Sequence, residues 1–68
     1  MKEVDARGLN CPEPIMMAKR ALMQSPEGID ITVDDRAALE NVTRFAKSKG
    51  YSVEKKESGR EWRLVIRK

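Results

Sequence analysis

One residue in this chain offers strong nucleophilic chemistry: Cys11, the single cysteine among 68 residues. It stands in the segment Asp5-Ala6-Arg7-Gly8-Leu9-Asn10-Cys11-Pro12-Glu13-Pro14. Two prolines this close would break a helix interior. In the first turn they are tolerated, because the backbone N–H groups there have no intrahelical acceptor. The spacing therefore predicts a helix pinned at its start by Pro12 and Pro14, with Cys11 at or beside the N-cap. There the positive end of the helix dipole and the free N–H groups favour an anion. A thiol so placed is expected to be more acidic than the free value of about 8.5. Glu13 opposes this if it points at the sulfur, and Arg7 can offset it. Gly8 supplies the backbone freedom for a turn just ahead.

A persulfide, whose outer sulfur ionises easily, needs the same environment. The chain has no histidine, so a Cys-His nucleophile pair is impossible. Sulfur transfer between thiols needs no general base, only an accessible thiolate and a partner's persulfide. Against this stands the habit of lone cysteines in small domains, which are often buried and inert. The residues alone leave both readings open. A second function class is a basic protein- or RNA-binding regulatory module in which Cys11 is not chemically used. A redox sensor is disfavoured, since no second cysteine can resolve an oxidised thiol. Asp34-Asp35 is a weak metal pair and a good helix cap, and no metal or other cofactor is expected.

The elements that position this segment follow from the apolar periodicity. A first strand is expected over 2–6 and a loop over 7–10. A helix follows to about Gln24, with Ile15, Ala18 and Leu22 on one side. Ser25-Pro26-Glu27-Gly28 stops it. Residues 29–34 alternate as a strand with one face packed and the other in water. Asp34 or Asp35 caps a second helix carrying Ala38, Leu39, Val42, Phe45 and Ala46, and Gly50 stands where a left-handed C-cap belongs. Strands over 51–57 and 60–67 form a hairpin around Ser58-Gly59, with Trp62, Leu64 and Ile66 on one face. The order is βαβαββ. It predicts a single α/β domain over 1–68, a two-layer sandwich with a four-stranded mixed sheet and both helices on one face.

Composition bounds the rest. At this length a fold buries only about 60% of its unfolded surface, so the core is thin. Charged residues make up 37% and mean hydropathy is −0.63. No apolar run approaches the roughly 20 residues that span a bilayer. Glu3 and Asp5 interrupt any signal-peptide pattern, and the free thiol suits a reducing cytoplasm. No membrane association is expected. Residues 1–43 carry five Lys/Arg against eight Asp/Glu, whereas residues 44–68 carry nine against three. Such a basic half can dock on acidic surfaces, or it can be a solvated face. Arg7 ahead of Cys11 and Lys55, Lys56 and Arg60 in the hairpin are candidate docking residues. Met16 and Met17, beside Cys11, are candidates for an adaptable apolar patch. A monomer is expected.

The Asp5, Gly8, Cys11-Pro12, Pro14 spacing, with Leu9 and Ile15-Met16-Met17, resembles the TusA/SirA/YedF family of small sulfur-carrier proteins. The likeness extends to the closing Leu64-Val65-Ile66-Arg67-Lys68. It implies the same βαβαββ sandwich, with Cys11 as the persulfide carrier and Asp5, Gly8, Pro12, Glu13 and Pro14 as supporting motif. It also implies a cysteine desulfurase or other sulfur donor, a downstream acceptor protein and, in some members, the tRNA-modification machinery. Such a protein is a carrier used once per relay cycle rather than an enzyme in the strict sense. Residues 40–46 and Gly50-Tyr51 look closer to the N-terminal domain of YedF-type proteins associated with selenium metabolism, which often continue into a second domain.

Overall fold

The computed structural model describes residues 2–10 and 12–68. Its elements are β1 (Lys2–Asp5), α1 (Glu13–Gln24), β2 (Gly28–Val33), α2 (Arg36–Ser48), β3 (Ser52–Ser58) and β4 (Glu61–Arg67). This is the expected βαβαββ order, in a four-stranded mixed sheet with strand order β1-β2-β4-β3. β1 runs parallel to β2, and β4 runs antiparallel to both β2 and β3. β2 and β3 are thus parallel without touching, since β4 lies between them. The sequence explains which hairpin strand goes inside. β4 brings Leu64, Val65 and Ile66, all buried, whereas β3 is exposed along almost its whole length. A lysine-bearing strand belongs at an edge, where charge discourages further pairing.

Both helices pack on one face of the sheet. α1 buries Pro14, Ala18, Ala21 and Leu22, and Ile15 is only half-buried. α2 buries Ala38, Leu39, Val42 and Ala46. These meet Ile29, Ile31, Val33, Leu64 and Ile66 in one core, with Trp62, Phe45 and Tyr51 packed at its margin. α2 begins at Asp35, whose carboxylate accepts the Ala38 N–H at 3.1 Å. It closes with the Gly50 N–H on the Lys47 carbonyl and the Tyr51 N–H on the Ala46 carbonyl, each at 3.0 Å. That pair of bonds is the double closure of a helix ending in a left-handed glycine.

The other face of the sheet departs from expectation. It does not simply meet water: Asp30 is 8% and Val65 5% exposed. They are direct partners in the middle of one ladder row, Glu3–Asp30–Val65–Glu54, so neighbours on both sides shield them. A buried carboxylate is costly without a partner. Arg63 supplies one, its Nε donating to both Asp30 oxygens at 2.8 and 2.6 Å and its Nη2 completing the fork. The hydrogen bond and charge of Asp30 push the Arg63 pKa further up.

At Gly28 the sheet is packed too closely for any side chain. A Cβ there would run into the Ile66 carbonyl oxygen, and the backbone φ of +148° is itself unfavourable for other residues. Gly28→Ala is therefore expected to lower stability by about 1–3 kcal/mol, read as a lower urea midpoint with an unchanged slope. An unchanged midpoint would mean that the β2–β4 contact is looser than described.

Candidate functional site

The two parallel strands β1 and β2, the starts of both helices and the β3–β4 turn all meet at one end of the sheet. The segment that leads from β1 to α1 is tied down there at each step. The Ala6 N–H donates to the Thr32 carbonyl at 2.9 Å, which extends the β1–β2 pairing by one residue, and Ala6 is 1% exposed. Asp5 accepts from Arg7 three times, from its Nε and Nη2 at 2.9 Å and from its backbone N–H at 3.1 Å. The same guanidinium reaches across to Glu61 at the start of β4, Nη1 to Oε2 at 3.1 Å. Gly8 turns with φ +76°. Its N–H donates to both carboxylate oxygens of Asp34, at 3.0 and 3.1 Å.

On the far side of the loop, the Glu13 N–H donates to the Asn10 carbonyl at 2.9 Å, and the Met16 N–H to the Pro12 carbonyl at 3.1 Å. Pro12 is the N-cap residue and Pro14 lies in the first turn, buried, while Pro12 and Glu13 are exposed. The prolines thus stand where the sequence places them. Cys11 lies outside the described residues, and so do the expectations about its exposure and acidity. What is described are its neighbours, Asn10 and Pro12, both exposed.

Several singled-out residues are gathered at this end and others are not. Arg7 is engaged with Asp5 and Glu61. Asp34 and Asp35 face different backbone donors, one in the loop and one in α2. Met16 is 51% exposed, but Met17 packs against the core, since adjacent helical positions point about 100° apart. Arg60 lies in the hairpin turn. Lys55 pairs across to Leu64 and Lys56 to Arg63, so the two lysines point to opposite faces of the sheet. Next to the loop, on the open face, lies a polar depression of about 450 Å³ lined by Asp5, Arg7, Asp30, Glu61 and Arg63 among others. Its ionic groups are largely paired with each other.

Two anchoring residues escaped the sequence reading. Glu61 is separated from Arg7 by 54 positions, and no local pattern links them. Asp34 did leave a signal. One helix takes one N-cap, so the second aspartate of the pair had another use.

The Arg7 side chain and, next, its backbone N–H hold the Asp5 pKa down to about 2, and the carboxylates of Asp5 and then Glu61 raise that of Arg7. A carboxylate depressed from 3.8 contributes stability above that value and loses it as pH falls through about 2. Carboxyl-carbon NMR should find Asp5 titrating near pH 2 in the parent and back towards 3.8 in Arg7→Ala. An Asp5 midpoint near the free value in the parent would show that this ion pair is not populated in solution.

The chain matches the sequence model of the family described as Sulfurtransferase TusA over residues 2–68. A protein of Methanocaldococcus jannaschii, provisionally named a sulfur carrier protein, is 41% identical over 71 aligned residues. The match covers all of this chain and 95% of that one. The protein named sulfur carrier protein TusA of Allochromatium vinosum is 37% identical, across 98% of this chain and 92% of its own. The crystal structure of a SirA-like protein from Desulfitobacterium hafniense superposes with a TM-score of 0.87 at 28% identity, covering 98% of this chain and 96% of that one.

Proposed function

Because the chain belongs to the sulfurtransferase TusA family, we propose that it is a sulfur carrier that holds sulfur as a persulfide on Cys11. It takes the sulfur from a donor such as a cysteine desulfurase and passes it to an acceptor protein. The acceptor serves tRNA thiolation or another branch of sulfur or selenium metabolism, in a cytoplasm that keeps thiols reduced. The observation that carries this reading is the Asp5, Gly8, Cys11-Pro12, Pro14 spacing on a segment anchored on both sides of Cys11. Relatives named as sulfur carriers support it.

The chemistry balances without a cofactor. The Cys11 thiolate attacks the outer sulfur of the donor's persulfide. A new S–S bond forms on Cys11, the donor's own S–S bond breaks, and the donor cysteine leaves as a thiolate with the bonding electron pair. Sulfur changes hands without net oxidation, and a second exchange of the same kind unloads it. What the protein supplies is presentation: a helix start that favours the anion and a loop that leaves a partner's thiol room to approach.

Incubation with a cysteine desulfurase and cysteine should add one reducible sulfur atom to the intact mass, and Cys11→Ser should add none. Labelling that persists in the serine variant would sink the assignment.

Each transfer needs a short-lived protein complex, and the positive charge of Lys55, Lys56 and Arg60 would speed its formation by long-range attraction. β3 leads from the two lysines to the turn at the loop end, which carries Arg60. Reversing all three to glutamate should slow sulfur transfer roughly tenfold at low ionic strength and much less at high salt. The alkylation rate of Cys11 should stay as in the parent. Equal transfer rates at low salt would reduce these residues to a solubilising surface.

A further inference from the structure

We propose that the opposite end of the molecule is a second docking site, a groove that accepts an acidic amphipathic segment of a partner protein. Both helices finish at that end, beside the start of β2 and the end of β4. Between them lies a groove of about 270 Å³. Its apolar part includes Met23, 76% exposed, with Phe45 and Tyr51 half-buried beside it. Lys19, Lys49 and Lys68 border it, and none of the side chains lining it is acidic. These three lysines come from the middle of α1, the end of α2 and the residue after β4, so only the fold brings them together.

The combination selects its occupant. Three ammonium groups round an apolar floor repel one another, and carboxylates relieve that repulsion while leucine- or phenylalanine-type side chains fill the groove. A large, exposed methionine adapts to such side chains, and an amphipathic helix presents them at i, i+3 and i+4 with acidic residues alongside. Nucleic acid fits less well. Single-stranded binding relies on aromatic faces open for stacking. The Tyr51 ring has the Lys68 ammonium 5.5 Å from its centre, its hydroxyl donates to the Pro26 carbonyl at 2.9 Å, and Phe45 packs on the core. A second copy of the chain would bring a net charge of +3 towards a basic surface. Because this groove and the Gly8–Pro12 loop are at opposite ends of the strands, a partner held here leaves the other end open to sulfur exchange.

The test uses a fluorescein-labelled synthetic helical peptide of glutamates with leucines at i, i+3, i+4 and i+7, and a control with serines for leucines. Anisotropy should show micromolar binding of the leucine peptide and at least tenfold weaker binding of the control. Combining Lys19→Glu, Lys49→Glu and Lys68→Glu should weaken binding at least tenfold, and Met23→Ser several-fold. Lys55→Glu, Lys56→Glu and Arg60→Glu together change net charge equally and should leave affinity within about threefold, which separates the groove from overall charge. Circular dichroism and urea midpoints check that each variant folds. Cys11→Ser should bind as the parent does, so loss of sulfur loading and loss of this site are read independently. The proposal is overturned by any of the following: no peptide binding, equal binding of the control, or equal weakening by the two charge reversals. It is also overturned if a single-stranded RNA oligonucleotide or anionic phospholipid vesicles bind more tightly through the same lysines, or if Met23→Ser abolishes self-association.

Discussion

The end of the sheet that carries the segment between β1 and α1 depends on the burial of β2. Ile29, Ile31 and Val33 are fully enclosed between the helices and the sheet, and truncating one such side chain costs about 2–5 kcal/mol. In a domain whose whole stability is of the order of 5–15 kcal/mol, that is a large share of the total. β1 has four residues, none of them fully buried, and is held in place chiefly by its parallel pairing with β2. The loop after β1 is then fixed by the Thr32 carbonyl in β2 and by Asp34 just beyond it. Strand register therefore reaches the site directly. A slip of one residue would turn Ile31 to the open face and move Asp34 away from Gly8.

Electrostatics divides along the same axis. Read along the chain, the positive excess belongs to residues 44–68. In the fold it is split, with Lys55 and Lys56 along the middle of β3, Arg60 in the turn at the loop end, and Lys49 and Lys68 at the other end, where Lys19 from the first half joins them. Around the loop the charges are paired, Asp5 with Arg7 and Arg7 with Glu61, and further along the open face the buried Asp30 with Arg63. The two exposed pairs add little to stability. Their effect is on geometry, because a guanidinium bound to two carboxylates on different strands fixes the direction in which the chain leaves β1.

Local chemistry was legible in the sequence, and relations across the sheet were not. The double proline, the Gly8 turn, the cap at Asp35 and the Gly50 closure each depend on a few neighbouring residues, and the fold class followed from apolar periodicity. The insertion of β4 between β2 and β3 depends on which hairpin strand is more apolar, a comparison available in Leu64-Val65-Ile66 against Lys55-Lys56. The burial of Asp30 was invisible, because it requires knowing that Arg63 is a neighbour on the next strand. The Glu61 bridge was hidden for the same reason, since it joins residues far apart in the chain, whereas the Asp34 clamp left a trace in the second aspartate beside the cap. Of Met16 and Met17, the two candidates for an apolar patch, Met16 is exposed and Met17 packs against the core.

A carrier of this kind has requirements opposite to those of an enclosed active site. An enzyme that stabilises a transition state gains from walls that exclude water. A carrier must give its cargo to a second protein, so walls round the sulfur would block the step they surround. The loop end accordingly combines a rigid base with an open outer face: Ala6 and Pro14 are buried beneath it, whereas Asn10, Pro12 and Glu13 are exposed. Rigidity comes from backbone hydrogen bonds and the Asp34 carboxylate, which lie below and beside the loop and leave its outer side uncovered. A carrier's selectivity then has to come from surfaces away from its cargo. In this domain the lysine-rimmed groove lies at the opposite end of the strands from the segment that joins β1 to α1, so a partner seated there would not cover that segment.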